Sequence, residues 1–144
     1  MQEQLPALTP FLVVRDPRST IAWFQQLGFT LEYLAEADGV VGHAEVSRGP
    51  SVRIMFGPSL DDTGSAGMSL YVTLQNGIDA FHDRVVAAGV PLHSPLTDQF
   101  WGARTFEVMH PDGYRLTFAQ DVHRVSPEEI GRIVAEDLAA IAGA

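Results

Sequence analysis

Apolar and polar residues alternate in two runs near the end of the chain, and the intervening sequence carries the chemistry of a tight turn. Phe106 and Val108 alternate with Thr105 and Glu107, and Leu116 and Phe118 alternate with Arg115 and Thr117. That period of two is the mark of strands with one buried face. Between the runs stands His110-Pro111-Asp112-Gly113, where proline presets φ and glycine accepts a positive φ. The pattern predicts a hairpin.

The remaining chain divides into two similar halves. In the first, Leu12–Arg15 reads as a strand, Asp16 as a helix cap and Pro17 as the first helical position. Ile21, Phe24 and Leu27 recur at helical spacing and Gly28 closes the element. Strands follow at Leu31–Leu34, Val40–Val46 and Val52–Phe56, broken by Asp38-Gly39 and Arg48-Gly49-Pro50. The second half repeats the order. Leu70–Leu74 is a strand, Ile78, Phe81, Val85 and Val86 form a helical face ended by Gly89, and strands run near Pro91–Pro95, Arg104–Met109 and Arg115–Ala119. Pro58–Ala66, rich in Asp, Gly and Ser, is the connector. Two βαβββ units are expected. After them, Ser126-Pro127-Glu128-Glu129 reads as a capping box in which Glu129 reaches back to the start of the helix. Ile130, Ile133, Val134, Leu138 and Ile141 then form one apolar stripe. It packs on its own domain, on a second copy, or over a cavity.

Composition narrows the class. At 144 residues with 46% hydrophobic and 19% charged residues, the chain suits one folded core and is not a disordered segment. No apolar run approaches the roughly 20 residues that span a bilayer, and the first residues, Met1 to Pro6, lack a basic region followed by an apolar one. With no cysteine, disulfides, thiolate metal sites and a cysteine nucleophile are excluded, which fits a cytoplasmic protein. The net charge of −9 argues against nucleic acid as a partner and favours cationic ligands.

Trp101-Gly102-x-Arg104-x-Phe106 followed by Pro111-Asp112-Gly113 resembles the terminal hairpin of the vicinal-oxygen-chelate superfamily. That superfamily holds glyoxalases, extradiol dioxygenases, fosfomycin-resistance transferases and bleomycin-binding proteins. The segment Thr9–Asp16, Ile21-Ala-Trp-Phe24, Leu27-Gly28-Phe29, Gly42-His43-Ala44-Glu45 with Val52–Phe56, Ser69–Val72 and Ala87–Val90 extend the resemblance in the right order. It implies an α+β fold of two βαβββ modules, about 7–57 and 67–121, within one domain over 1–125, with the helix of 126–144 appended. It also implies that the two concave sheets surround a common cavity, within one chain or by exchange across a homodimer.

Aligned on that family, the positions that hold metal ligands in its metalloenzymes carry Thr9, Met68 and Thr117, with Met55 or Phe56 at a further one. A divalent metal prefers imidazole or carboxylate, so no metal or other cofactor is expected. His43 and Glu45 lie two apart on a strand and share a face. They form a hydrogen-bonded pair that orients a polar ligand, two ligands of a relocated metal site with Glu107 or His110 as a third, or a solvated face. Phe11, Val13, Leu70 and Val72 occupy alternate positions of the two opening strands, and the alignment turns them into the cavity with Met55 and Met68. The indole of Trp101 either walls a planar ligand or covers the core. Arg104 and Arg115 either grip a ligand carboxylate or phosphate or pair with Glu107, Asp112 or a neighbouring chain. His82, His93 and His123 have no partner at ligand spacing and are expected at the surface.

Three functions are compatible with these residues. The first is a metal-independent protein that binds a small organic molecule, cationic by preference, and sequesters an antibiotic or metabolite. The second is a lyase, isomerase or dioxygenase with relocated metal ligands. The third is a module that engages a partner through the tail helix.

Overall fold

The computed structural model describes residues 8–58 and 68–143. Along the chain run β1 (Phe11–Val14), α1 (Pro17–Gln26), β2 (Thr30–Ala37), β3 (Val40–Ser47), β4 (Arg53–Pro58), β5 (Ser69–Thr73), α2 (Ile78–Ala87), β6 (Leu92–Asp98), β7 (Ala103–Met109), β8 (Arg115–Asp121) and α3 (Pro127–Ala142). The strands form two four-stranded sheets, ordered β1-β4-β3-β2 and β5-β8-β7-β6. The predicted pair of βαβββ modules with a C-terminal helix is the architecture observed. From residue 59 the expected connector lies outside the described residues, as do the first seven residues.

Two compact units result. The first contains the described residues up to Met68 together with the turn His110–Arg115, and the second contains Ser69–Met109 and the chain from Leu116 onward.

In the first unit, Asp16 caps α1 by accepting the Ser19 N–H at 3.2 Å, and Pro17 opens the helix. Gly28 leaves it at φ 84°, a conformation that favours glycine. The helix buries Thr20, Ile21 and Phe24. Phe24 stacks on Phe56 at 5.7 Å and meets Phe29 edge-on at 5.0 Å, so the helical face of this sheet carries Leu12, Val14, Ala44, Val46, Ile54 and Phe56, all buried. β1 runs parallel to β4, with Phe11 opposite Met55, and β3 pairs antiparallel with β4, with Glu45 opposite Met55.

The turn His110–Gly113 closes through Gly113 N–H to His110 O and His110 N–H to Tyr114 O, both 2.8 Å. It is fastened to the start of the same unit. Tyr114 Oη accepts the Val13 N–H at 3.0 Å and donates to Val13 O at 2.9 Å, which satisfies the edge of β1. The carboxylate of Asp112 accepts the Arg15 N–H at 2.7 Å. His110 is buried edge-on to Trp23 at 5.0 Å.

The second unit is centred on Phe81, Phe106 and Phe118, whose ring centres lie 4.9–5.6 Å apart. Helix α2 has Gly77 at its N-cap, and the amide of Ile78 is satisfied by Gln120 Oε1 at 2.9 Å. β6 extends to Asp98, beyond the expected Pro95. Pro95 is tolerated because β6 is an edge strand and its register to β7 shifts between Ser94 and Thr97.

Strand β5 corrects one expectation. Val72 is buried and Leu70 half-buried, whereas Tyr71 between them is 53% exposed. Leu70 and Val72 therefore take the buried face and Tyr71 the open one. The consecutive apolar residues Leu70-Tyr71-Val72 give no alternation to choose between the faces, and the tyrosine hydroxyl, which accepts from Trp101 Nε1 at 3.2 Å, settles the phase.

The tail helix forms as expected, with Ser126 Oγ accepting the Glu129 N–H at 3.2 Å. Glu129 does not reach back. Its carboxylate binds Arg132, which also holds Glu136 one turn later. No residue of α3 is buried, and Val134, Leu138 and Ile141 are 40%, 61% and 73% exposed. Ile130 and Ile133 are half-buried, so the stripe meets its own chain only in part among the described residues. Among the described residues no helix is long and apolar enough to cross a membrane.

Candidate functional site

The site begins with the face of the first sheet that α1 leaves uncovered. Alternation along β1, β3 and β4 sends Leu12, Ala44, Val46, Ile54 and Phe56 to the helix, and Phe11, Val13, His43, Glu45, Arg53 and Met55 to the other side. Tyr33 joins them from β2, paired across the sheet with Glu45. Tyr33, His43, Glu45 and Met55 line an open pocket of about 410 Å³.

Three rings form a continuous row beside it. His43 stacks on Phe11 at 5.6 Å with 27° between planes, and meets Tyr33 at 5.7 Å and 65°. Phe11 and Tyr33 are 51% and 56% exposed, so two of the three rings present their faces or edges to solvent on this side of the sheet. Phe11 can lie over β4 because Gly57 stands there: a Cβ at Gly57 would come 3.1 Å from both Phe11 Cζ and Gly42 O.

Glu45 supplies the pocket's carboxylate. It accepts from Arg53 Nη1 at 2.9 Å, and no bond joins it to His43. The expected His43–Glu45 pair is replaced by Glu45–Arg53 because Arg53, on the adjacent strand, offers a charge at bonding distance. Val13 shares the open face at 41% exposure. Met68 is exposed, and its carbonyl accepts the N–H of Arg115 at 3.2 Å.

Other candidates belong to the second unit. Glu107 and Thr117 alternate with Phe106 and Phe118, which pack against Phe81 of α2, so both face away from that helix. Thr117 is buried and Glu107 half-buried. Trp101 is half-buried in the turn before β7, edge-on to Phe100 at 5.0 Å and bonded to Tyr71. With Asp121, Val122, His123 and Arg124 it borders a second open pocket, also about 410 Å³. Arg104 pairs with Asp98 at 2.6 Å and with Asp79 at 3.2 Å, not with Glu107 or Asp112. The Asp98 carboxylate and then Asp79 raise the guanidinium's pKa further, and Arg104 in turn lowers that of Asp98.

His110 is a histidine of structure. Its Nδ1 accepts the Asp112 N–H at 3.0 Å, so the ring proton lies on Nε2 and is donated to Thr20 Oγ1 at 3.0 Å. Burial lowers its pKa below the ordinary 6.5, and the Asp112 carboxylate opposes that by less. Nothing in the sequence around His110 pointed to this, since Thr20 lies 90 residues away. Tyr33, Arg53 and Tyr71 were also missed. Parity would not have found Tyr33, because the register to β3 shifts between Leu31, which pairs with Val46 of the helical face, and Tyr33, which pairs with Glu45 of the open one.

A divalent metal finds a poor donor set here. The positions to which the family resemblance points hold hydroxyls at Thr9 and Thr117 and thioethers at Met55 and Met68, and neither suits a hard or borderline ion. Among the described residues no three His, Asp or Glu side chains gather where they could hold one. These residues do not fit the metal site of the oxygen-chelate enzymes.

Comparison with known proteins places the architecture. The Glyoxalase/Bleomycin resistance protein/Dioxygenase superfamily matches residues 6–118. An uncharacterized protein of Mycobacterium bovis is 30% identical over 137 residues, covering 87% of this chain and 90% of its own. The crystal structure of TioX from Micromonospora sp. ML1 superposes with a TM-score of 0.69 at 24% identity, over 81% of this chain and 99% of that one. A bleomycin-binding protein solved with bleomycin gives a TM-score of 0.63 at 26% identity, over 81% and 98%. The bleomycin resistance determinant encoded on the transposon Tn5 gives 0.64 at 26%, over the same shares. The chain belongs to the glyoxalase/bleomycin resistance protein/dioxygenase superfamily.

Proposed function

We propose that this protein binds a small organic molecule on the open face of the β1-β4-β3-β2 sheet without a metal ion, and sequesters it rather than transforming it. The observation that carries the reading is the row Phe11–His43–Tyr33 beside a pocket whose one carboxylate among the described residues is Glu45. Aromatic walls with few polar anchors are the usual make-up of a small-molecule site, and Met55 adapts to irregular ligand shapes. The likeness to a bleomycin-binding protein supports the same class of use, an antibiotic or metabolite being held. The net charge of −9 favours a cationic ligand. A homodimer, whose second copy would wall the groove opposite exposed Phe11, Val13 and Tyr33, completes the proposal.

Thermal-shift measurements on EDTA-dialysed protein against bleomycin and a panel of planar drugs test it. At least one compound should raise the melting temperature, and Phe11→Ala or Tyr33→Ala should each weaken its binding by about 1 kcal/mol, the scale of one aromatic contact. A panel without hits, or hits indifferent to both substitutions, would remove the site. Sedimentation equilibrium should return twice the mass of one chain; a monomer at micromolar concentration contradicts the dimer.

A further inference from the structure

We infer that the open face selects aromatic cations, and that Arg53 is a built-in competitor that sets how tightly they are held. The inference rests on the binding reading above and names the ligand class for that site. Glu45 is the carboxylate in the pocket, its side chain 17% exposed, and a flat delocalised cation already sits on it at 2.9 Å: the guanidinium of Arg53. The guanidinium side chain is 49% exposed, so the pair is screened by solvent and weak enough to exchange. A ligand cation built into a ring can take the same carboxylate and also stack on the exposed rings of Tyr33 and Phe11. Arg53 is bonded to Glu45 and, among the described residues, stacks on neither ring.

Size and charge agree. The pocket's 410 Å³ lies near the small end of the roughly 300–1,000 Å³ typical of ligand sites, which suits two or three fused rings. Gly57 keeps the Phe11 ring flat along β4, because a side chain there would meet its Cζ at 3.1 Å. An anionic ligand would have to draw Arg53 away and then face Glu45 unpaired. The electrostatics oppose it.

A matched pair of probes separates charge from shape: N-methylacridinium, a permanent cation, and neutral acridine at pH 8, each titrated by fluorescence. The wild-type protein should bind the cation about tenfold more tightly than acridine, the scale of a charge-assisted contact at a partly exposed site. Arg53→Gln should tighten the cation roughly two- to fivefold, as expected for removal of an exposed ion pair, and Arg53→Lys should stay near wild type. Glu45→Gln should erase the preference for the cation while shifting acridine far less. An unchanged or weaker cation affinity in Arg53→Gln overturns the competitor role. Equal wild-type affinities overturn charge selection and leave the binding reading standing. Failure of both probes to bind overturns the choice of aromatic cations, and the reading itself falls only if the drug panel gives no hit either.

Discussion

His110 shows how one side chain can fasten a turn to a distant helix. Its neutral ring accepts from the Asp112 amide and donates to Thr20, in a setting that lowers its pKa below 6.5. Because the folded protein prefers the neutral ring, this contribution is complete above the unfolded value of about 6.5 and is lost as pH falls through the lower folded value. His110→Asn keeps an acceptor near the Asp112 amide but loses Thr20. It should cost about 1–2 kcal/mol at neutral pH and flatten the fall in stability between pH 7 and 5. Urea unfolding at several pH values measures both, and an unaltered pH slope would show that His110 is not the titrating group. Sequence alone gave this residue a place in a turn and a third place in a hypothetical metal site. The bond that defines its role is long-range, and no local pattern encodes it.

At the scale of elements, strands were legible wherever polar and apolar residues truly alternate. β3 and β7 are examples: Ala44 and Val46 against His43 and Glu45, Phe106 and Val108 against Thr105 and Glu107. Where three apolar residues run together in β5, the pattern was silent and the alignment chose the wrong face. The same limit hid Arg53: periodicity put His43 and Glu45 side by side, but the partner of Glu45 came from another strand. Gly102 illustrates a backbone requirement that a glycine codon states plainly and a pattern does not explain. It adopts φ 97°, and a Cβ there would sit 2.1 Å from the carbonyl oxygen of His123. Since Val122 and His123 also donate to Gly102 O, that backbone cannot move away freely. Gly102→Ala should destabilise the protein by at least about 2 kcal/mol; a melting temperature unchanged from wild type would contradict the packing. Helix α3 predicts the opposite. With no buried residue, its removal by truncation after Val125 should lower helical circular dichroism yet change unfolding free energy by less than about 1 kcal/mol. A large loss of stability would mean that the stripe is covered in solution.

For the whole molecule, the family and the two-module architecture were readable from the order of short motifs, because each glycine and turn marks an element boundary. The use of the fold was not, since function depends on which few side chains reach the open face. On that face the structure sets Phe11, His43 and Tyr33 in a row next to Glu45, while the positions where metalloenzymes of the family hold their ion carry threonine and methionine. The proposed metal-independent binding is tested by titrating metal-stripped protein with N-methylacridinium in EDTA, then, with the EDTA removed, after adding equimolar Fe(II), Zn(II), Mn(II) or Ni(II). The account predicts the same dissociation constant in all five conditions and no metal retained after desalting. Binding that appears only with one of the metals, together with stoichiometric metal that His43→Ala releases, would contradict it and put an oxygen-chelate enzyme in its place.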